Sequence, residues 1–303
     1  MSQRCIAVIG GSGIGGLFGD ENAAVTNVVD TPFGPPSAPI LETTWHTTRV
    51  LLLPRHGVGH LLNPSQVPYR ANIYALKKLG ATHVLATGAV GSLRQEFAPR
   101  DLVICDQVID KTTKRPGTFF DAAAVHVEFA EPFCPVLRKL LTDAAEAGEA
   151  KAHANGCYVA MEGPAFSTRA ESHMHRVWGG DLIGMTAMPE AKLAREAELP
   201  YALVALVTDY DSWKQAPPTS PIDQTPAAPE ESLLEEIIGN LHAASAAAVS
   251  LIKKAIELAA ADPARLDGSP AKTALARAIW SDKSQIAAAD VERLAPLWVK
   301  YFR

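Results

Sequence analysis

An α/β fold around a largely central sheet is predicted by two observations. Short runs rich in aliphatic and β-branched residues recur along the 303-residue chain, with helix-like segments between them. Several of these runs lack polar alternation, as in YALVALV at 201–207, and an unbroken apolar run of that length marks a strand covered on both faces. Strands and helices alternating in this order imply helices packed against the sheet.

The elements follow in turn. Strands are expected at 6–9, 50–53, 83–86, 102–105, 158–161, 182–185 and 201–207. A helix at 71–78 is stopped by Gly80, one at 135–147 follows a Pro-rich entry, and one at 188–198 ends at Pro200. The stretch 215–230 carries five prolines and cannot be regular structure, so it is an active-site loop or a linker. Beyond it, 232–261 is Ala- and Leu-rich at helical spacing, 262–270 breaks the pattern, and 271–303 is a last helical tail.

Composition narrows the function. With 48% hydrophobic and 20% charged residues the chain can bury a substantial core, and a net charge of −5 without a basic run argues against polynucleotide or membrane-surface binding. The expected partner is a small molecule. Cys5, Cys105, Cys134 and Cys157 form no CxxC pair, and the first two lie in apolar runs, so the thiols read as reduced. No signal-type segment and no spanning apolar stretch is evident, and the expected location is the cytoplasm.

Ligands of open α/β sheets gather beyond the carboxyl ends of the strands, and polar residues stand at those ends here. The first strand runs into GGSGIGG, where backbone N–H groups and the Ser12 hydroxyl can wrap an anion, although a Gly-rich turn without a ligand would look the same. Gly11, Gly13 and Gly16 also satisfy GxGxxG. Gly19 interrupts the helix that a dinucleotide domain needs, and Asp30 leads into a Pro-rich loop. Arg55 and His56 end the second run as a cationic fork and an imidazole suited to phosphate. Gly88 and Ala89 end the third run and permit close backbone approach, and Thr186 adds a hydroxyl after another strand. Asp209 and Asp211 close YALVALV and can read a group bearing N–H donors; in isolation they could equally be capping residues. Anion donors from four distant segments converge on one edge of the sheet.

Taken together, IGGSG from Ile9, TPFGPPS from Thr31, RHG from Arg55, NPS from Asn63, YRAN from Tyr69, AEPFCP from Ala130, EGPAFSTRAE from Glu162, MTAMPE from Met185 and TDYDSW from Thr208 resemble the S-methyl-5′-thioadenosine phosphorylases. These are a branch of the trimeric purine nucleoside phosphorylase superfamily, and the motifs keep family order over roughly seven tenths of the chain. The resemblance implies a single-domain nucleoside-phosphorylase-like fold over 1–261, a central mixed β-sheet surrounded by α-helices, with 214–230 as active-site loop or linker and 262–303 as an added C-terminal helical extension.

It further implies phosphorolysis of the nucleoside with inorganic phosphate as co-substrate, no metal and no organic cofactor, and a homo-oligomer, trimer or hexamer. Carried over by position, Ser12, Arg55, His56, Gly88, Ala89 and Thr186 would bind phosphate. Met185 would lie beneath the ribose and Phe166 against the base, with Ser167 beside it. Asp209 would act as general acid at N7, and Asp211 would orient it and read the 6-amino group. His126 would reach the sugar across a subunit boundary. Relatives acting on 6-oxopurines usually carry Glu at position 167 and Asn at position 209, so Ser167 with Asp209 favours adenine.

The chain departs from the pattern in places. Gly88 stands where relatives often place threonine, leaving only backbone donors, and Ala165 replaces a common arginine. Ile222, Leu233 and Leu234 are candidate contacts for the 5′-group or ordinary helix-docking residues. In the tail, Leu275, Ile279, Trp280, Leu294, Leu297 and Trp298 suggest a docked helical extension at a subunit interface. Three alternatives stay open: a 6-oxopurine nucleoside or methylthioinosine phosphorylase, a nicotinamide-dependent oxidoreductase using the glycines, and a purine-binding module.

Overall fold

The computed structural model describes residues 4–11, 25–214 and 233–302, the last range with the backbone alone at 233, 234 and 236. Ser12, the rest of the Gly-rich motif beyond Gly11, the whole Pro-rich stretch 215–230 with Ile222, and the side chains of Leu233 and Leu234 lie outside the described residues.

The centre is formed by β1 (Cys5–Gly10), β4 (Thr48–Pro54), β5 (His83–Ser92) and β11 (Tyr201–Asp209), all parallel. Antiparallel β2 (Val25–Asn27) and β3 (Ile40–Trp45) extend it beyond β4. On the other side lie β10 (Leu182–Gly184), β9 (Cys157–Ala160) and β7 (Gln107–Asp110). β6 (Leu102–Ile104) pairs with β11, and β8 (Ala152–His153) with β6. The sheet is therefore mixed. Sequence reading did not find β2, β3, β7 or β8, which are short or carry polar residues at half-buried positions.

The apolar strands face two cores. Alternate residues Ala7, Ile9, Leu51, Leu53, Val84 and Ala86 join a cluster that includes Ile73 and Leu76 of α1 (Tyr69–Lys78) and Leu193 of α4 (Glu190–Glu196). Ile6, Val8, Val50, Leu52, Leu85 and Val204 face the other way, against α2 (Pro135–Ala147) and α5 (Leu233–Ala261). Burial on both faces is why these strands carry no polar alternation.

The expected helical tail is broken into 3-10 turns with two short helices, α6 (Ala288–Arg293) and α7 (Ala295–Trp298). It docks on its own chain. Leu275, Leu294, Leu297 and Trp298 enter the same core cluster as β1, whereas Trp280 is 72% exposed. No described helix is long and apolar enough to cross a membrane.

The sheet divides at β5. Its first residues pair with β1 up to Ala86, after which β5 continues only alongside β11 and then meets β10 in antiparallel register at Gly91 and Ser92. β1 and β4 end at Gly10 and Pro54 beside this divergence, the kind of place where α/β sheets take ligands.

Candidate active site

Arg55 follows β4 and is buried. Its Nε and Nη2 each donate to a Glu190 carboxylate oxygen at 2.8 Å, and Nη1 donates to the Thr87 carbonyl at 2.7 Å. Glu190, fully buried at the start of α4, also accepts from the Tyr201 hydroxyl at 2.8 Å. Burial opposes the Arg55 charge, but the Glu190 carboxylate more than offsets it and the pKa rises. The expected open fork is thus corrected: its bidentate face is taken by Glu190, and two of its five N–H donors remain for a further acceptor. Glu190 itself lies in the MTAMPE motif, but nothing local distinguishes a clamping carboxylate from a helix-start residue.

His56 stacks on His60, with centroids 4.2 Å apart, and its Nδ1 lies 2.7 Å from the Leu62 carbonyl. A carbonyl can only accept, so Nδ1 carries the proton. Burial, reinforced by the Arg55 charge, brings the imidazole pKa down to about 4. At neutral pH the ring is uncharged and its Nε2 is an acceptor.

The glycines of β5 lie close against their neighbours. A Cβ on Gly88 would lie 3.0 Å from Thr186 Oγ1, and one on Gly91 would lie 3.0 Å from Asp209 Oδ1 and 3.2 Å from Asp211 Cβ. β5 therefore runs between two groups of predicted site residues. Thr186 is buried, and its backbone N–H donates to the Tyr158 hydroxyl at 3.1 Å. Met185 is held through its carbonyl, which accepts from Arg115 Nη1 at 2.5 Å. Arg115, ion-paired to Glu162 at 2.9 Å, is a further positioning residue that sequence reading missed.

In the second group, Asp209 Oδ1 accepts from the Asp211 backbone N–H at 2.7 Å and Oδ2 from the Thr208 hydroxyl at 2.7 Å. Asp211 has a left-handed backbone, φ 47°, and its buried Oδ2 has no hydrogen-bond partner among the described residues. Burial raises the pKa of both carboxyls. Thr208 and the Asp211 N–H oppose the shift at Asp209; Ser172, the Ser212 N–H and Ser167 oppose it at Asp211, where the Asp209 charge adds to it. Ser167 is buried, and its carbonyl accepts from Ser212 Oγ at 2.7 Å.

Three predicted residues stand otherwise. Phe166 is 59% exposed. His126 lies apart, its N–H donating to the Ala278 carbonyl at 2.9 Å and its ring packing edge-on against Trp280, so its contacts here are with the extension. Ala89, beside Gly88 on β5, is exposed. Among the described residues no His, Cys, Asp and Glu group is placed to hold a metal ion, and the four cysteines are free thiols.

A strand-end site with an arginine, a neutral histidine and a hydroxyl across β5 from two half-buried carboxyls has the makings of a nucleoside phosphorylase. The family model described as Phosphorylase superfamily matches residues 5–257. S-methyl-5′-thioadenosine phosphorylase of Chloroflexus aurantiacus is 44% identical over 304 residues, covering 100% of both chains. The enzyme of that name from Gloeobacter violaceus is 44% identical over 308 residues, 99% of this chain and 96% of its own. Among solved structures, a methylthioadenosine phosphorylase from an antarctic soil metagenomic library superposes with TM-score 0.83 at 42% identity, over 98% of this chain and 99% of the other. The Schistosoma mansoni methylthioadenosine phosphorylase in complex with adenine gives TM-score 0.79 at 34% identity, over 92% and 99%. The chain belongs to the phosphorylase superfamily and, within it, to the S-methyl-5′-thioadenosine phosphorylase family. Similarity extends through the C-terminal tail, in which sequence reading found no family motif.

Proposed function

We propose that the chain catalyses phosphorolysis of S-methyl-5′-thioadenosine by inorganic phosphate, giving adenine and 5-methylthioribose 1-phosphate, as in purine and methionine salvage. The observation that carries the reading is Asp211 Oδ2, a buried acceptor without a partner among the described residues, beside Asp209, whose oxygens are both engaged. A buried unsatisfied acceptor costs about 1–3 kcal/mol, which a ligand N–H recovers. Adenine presents such a hydrogen at its 6-amino group, whereas a 6-oxopurine presents another acceptor.

The spacing supports the same reading. Gly88 and Gly91, three residues apart on β5, lie roughly 10 Å apart at strand rise, a span that a ribose can bridge between phosphate and base. On the phosphate side, the two remaining Arg55 donors and the Thr186 hydroxyl donate to the dianion's oxygens, and neutral His56 Nε2 accepts from the one O–H of monohydrogen phosphate. A phosphate oxygen bonds to C1′ as the bond from C1′ to N9 breaks. The electron pair passes to the purine, and Asp209 delivers a proton to N7. Both charges are met where they develop, positive on the sugar by phosphate and negative on the purine by the acid. Burial of Asp209 favours the protonated form this step needs.

No organic cofactor or metal is assigned a role. The reading includes a cytoplasmic homo-oligomer, trimer or hexamer, in which His126 faces a neighbouring protomer's site. The test is a substrate panel of adenine- and hypoxanthine-bearing nucleosides with 5′-methylthio, hydrogen or hydroxyl groups, run with and without phosphate. Adenine release only in the presence of phosphate, with the hypoxanthine series slower by roughly two orders of magnitude or more, supports the reading. Release without phosphate indicates a hydrolase, and preference for hypoxanthine indicates a neutral Asp211 donating to a 6-oxo group.

A further inference from the structure

At the amino-terminal ends of β1 and β5, the opposite edge of the sheet from the candidate active site, there is a cavity of about 340 Å³. That volume falls at the lower end of small-molecule sites, roughly 300–1,000 Å³. Three blocks distant in sequence meet there. Arg4 leads into β1, Lys77 comes from the end of α1, and Lys272 and Lys300 come from the C-terminal extension, with Glu198 in the same wall.

The charges are unevenly matched. Arg4 donates from Nη2 to both oxygens of Asp267 at 3.0 Å, and Lys300 is paired to Glu198 at 2.5 Å. Among the described residues Lys272 Nζ reaches only the Leu266 carbonyl, at 3.0 Å. Lys77 makes no hydrogen bond or ion pair among the described residues, although its ammonium is largely withdrawn from water: burial first, and then Lys300, against the pull of Glu198, bring its pKa down to about 8. An unpaired ammonium held in a concave site is costly unless something neutralises it. Glu198, itself buried and also accepting from Leu275 N–H and the Tyr301 hydroxyl, fixes Lys300 on the rim.

We propose that this pocket binds a small phosphate-bearing anion, held by Lys77 and Lys272. The two lysines are ammonium point charges, which suit phosphate oxygens in several orientations. Arg4, whose Nη2 alone serves both Asp267 oxygens, keeps a buried Nη1 without a hydrogen-bond partner among the described residues and adds a further donor to the same wall. Because the lysines belong to the core and to the extension, the anion ties the extension to the sheet. Occupancy stabilises the fold by mass action, since the unfolded chain has no such site.

The test uses the full chain, with inorganic pyrophosphate, ribose 5-phosphate and citrate as separate probes. Binding by calorimetry and the shift in melting temperature are compared between the wild type and the Lys77→Met, Lys272→Gln double variant, together with KM for phosphate. Tenfold or greater loss of phosphate-probe binding and loss of the thermal shift, with turnover and KM unchanged, is the expected result. Tighter binding of pyrophosphate or of the ester assigns the source of the phosphate. Three outcomes overturn the proposal: an isotherm unaltered in the variant, which places all binding at the catalytic crevice; no binding at millimolar probe; or citrate bound as well as either phosphate. Lys77→Met alone removes a desolvated charge and serves as a folded control should the double variant be unstable.

Discussion

The buried pair of Arg55 and Glu190 makes each residue a poor target for a simple truncation. Arg55→Ala would remove the donors proposed for phosphate and also strand Glu190 as an unpaired buried carboxylate, so loss of phosphate affinity and loss of fold would arrive together. Glu190→Gln is the cleaner probe. It keeps the shape and the contact with Tyr201 while removing the compensating charge, and breaking such a pair costs about 3–5 kcal/mol. Urea unfolding should show that loss, and KM for phosphate should rise because the fork is no longer clamped. The two aspartates should separate by kinetics. Asp209→Asn should depress kcat by orders of magnitude while leaving adenine binding largely intact, and Asp211→Asn should mainly erode the preference for adenine over hypoxanthine nucleosides. Equal losses in both variants would mean that the two carboxyls act as one unit. Glu196 gives a pH-dependent case outside the site. Burial lifts its pKa to about 7, against hydrogen bonds from Phe119 N–H and Thr118. A carboxyl raised in the folded state binds its proton more tightly there than when unfolded. Stability is therefore greatest below about pH 4.5 and falls as pH rises through 7, by on the order of 3 kcal/mol. Glu196→Gln should stabilise the protein at pH 8 and have little effect at pH 5, as read by melting temperature at the two pH values.

At the level of elements, legibility followed burial. β1, β4, β5 and β11 were readable because covering both faces demands unbroken apolar runs, and the ends of β4 and β11 located Arg55, His56, Asp209 and Asp211, whereas Gly88, read as a strand end, lies inside β5, which continues to Ser92. The edge strands β2, β3 and β8 were not, since a half-exposed strand tolerates residues that read as loop. α3 (Arg169–Val177) was missed for a related reason: its capping box, Thr168 with Glu171, was visible in the sequence, but its mean hydropathy is low and only Ser172 and His175 are buried. Within the site, the residues named by chemistry were legible, and those that act by holding others, Glu190, Arg115 and Thr208, were not. A positioning contact depends on which strands become neighbours, and local sequence does not state that. Gly184 shows how tightly β10 is set by such a neighbour. A Cβ there would lie 2.1 Å from the Tyr158 hydroxyl, and that hydroxyl accepts the Thr186 N–H. Gly184→Ala should push Tyr158 aside, cost about 1–3 kcal/mol by overpacking and loosen Thr186. A rise in KM for phosphate out of proportion to the fall in melting temperature would separate that effect from general destabilisation.

For the whole molecule, the question is whether residues 262–303 are an appendage or part of the folding unit. An appendage would pack on itself and leave the sheet untouched. Instead Leu275, Leu294, Leu297 and Trp298 are buried in the cluster that covers β1, β4 and α1, and Trp298 packs on Phe120 with ring centroids 4.7 Å apart. Val125 and Ile279 form a β-bridge flanked by the His126 N–H to Ala278 bond and the Trp280 N–H to Ala124 bond, so the extension also fixes the segment that carries His126. Each buried large side chain contributes about 1.5–3 kcal/mol relative to exposure. Four of them rival the 5–15 kcal/mol by which a typical native chain is stable at all. A chain ending at Ala261 should accordingly fail to accumulate as folded protein, and calorimetry of the full chain should give one cooperative transition. Trp298→Ala is the graded version, expected to cost about 3–5 kcal/mol and to shift that single transition downward. If the extension instead melts first, in a separate transition that leaves phosphorolysis intact, then it folds onto a finished enzyme, and the contacts of His126 with it have no bearing on the site.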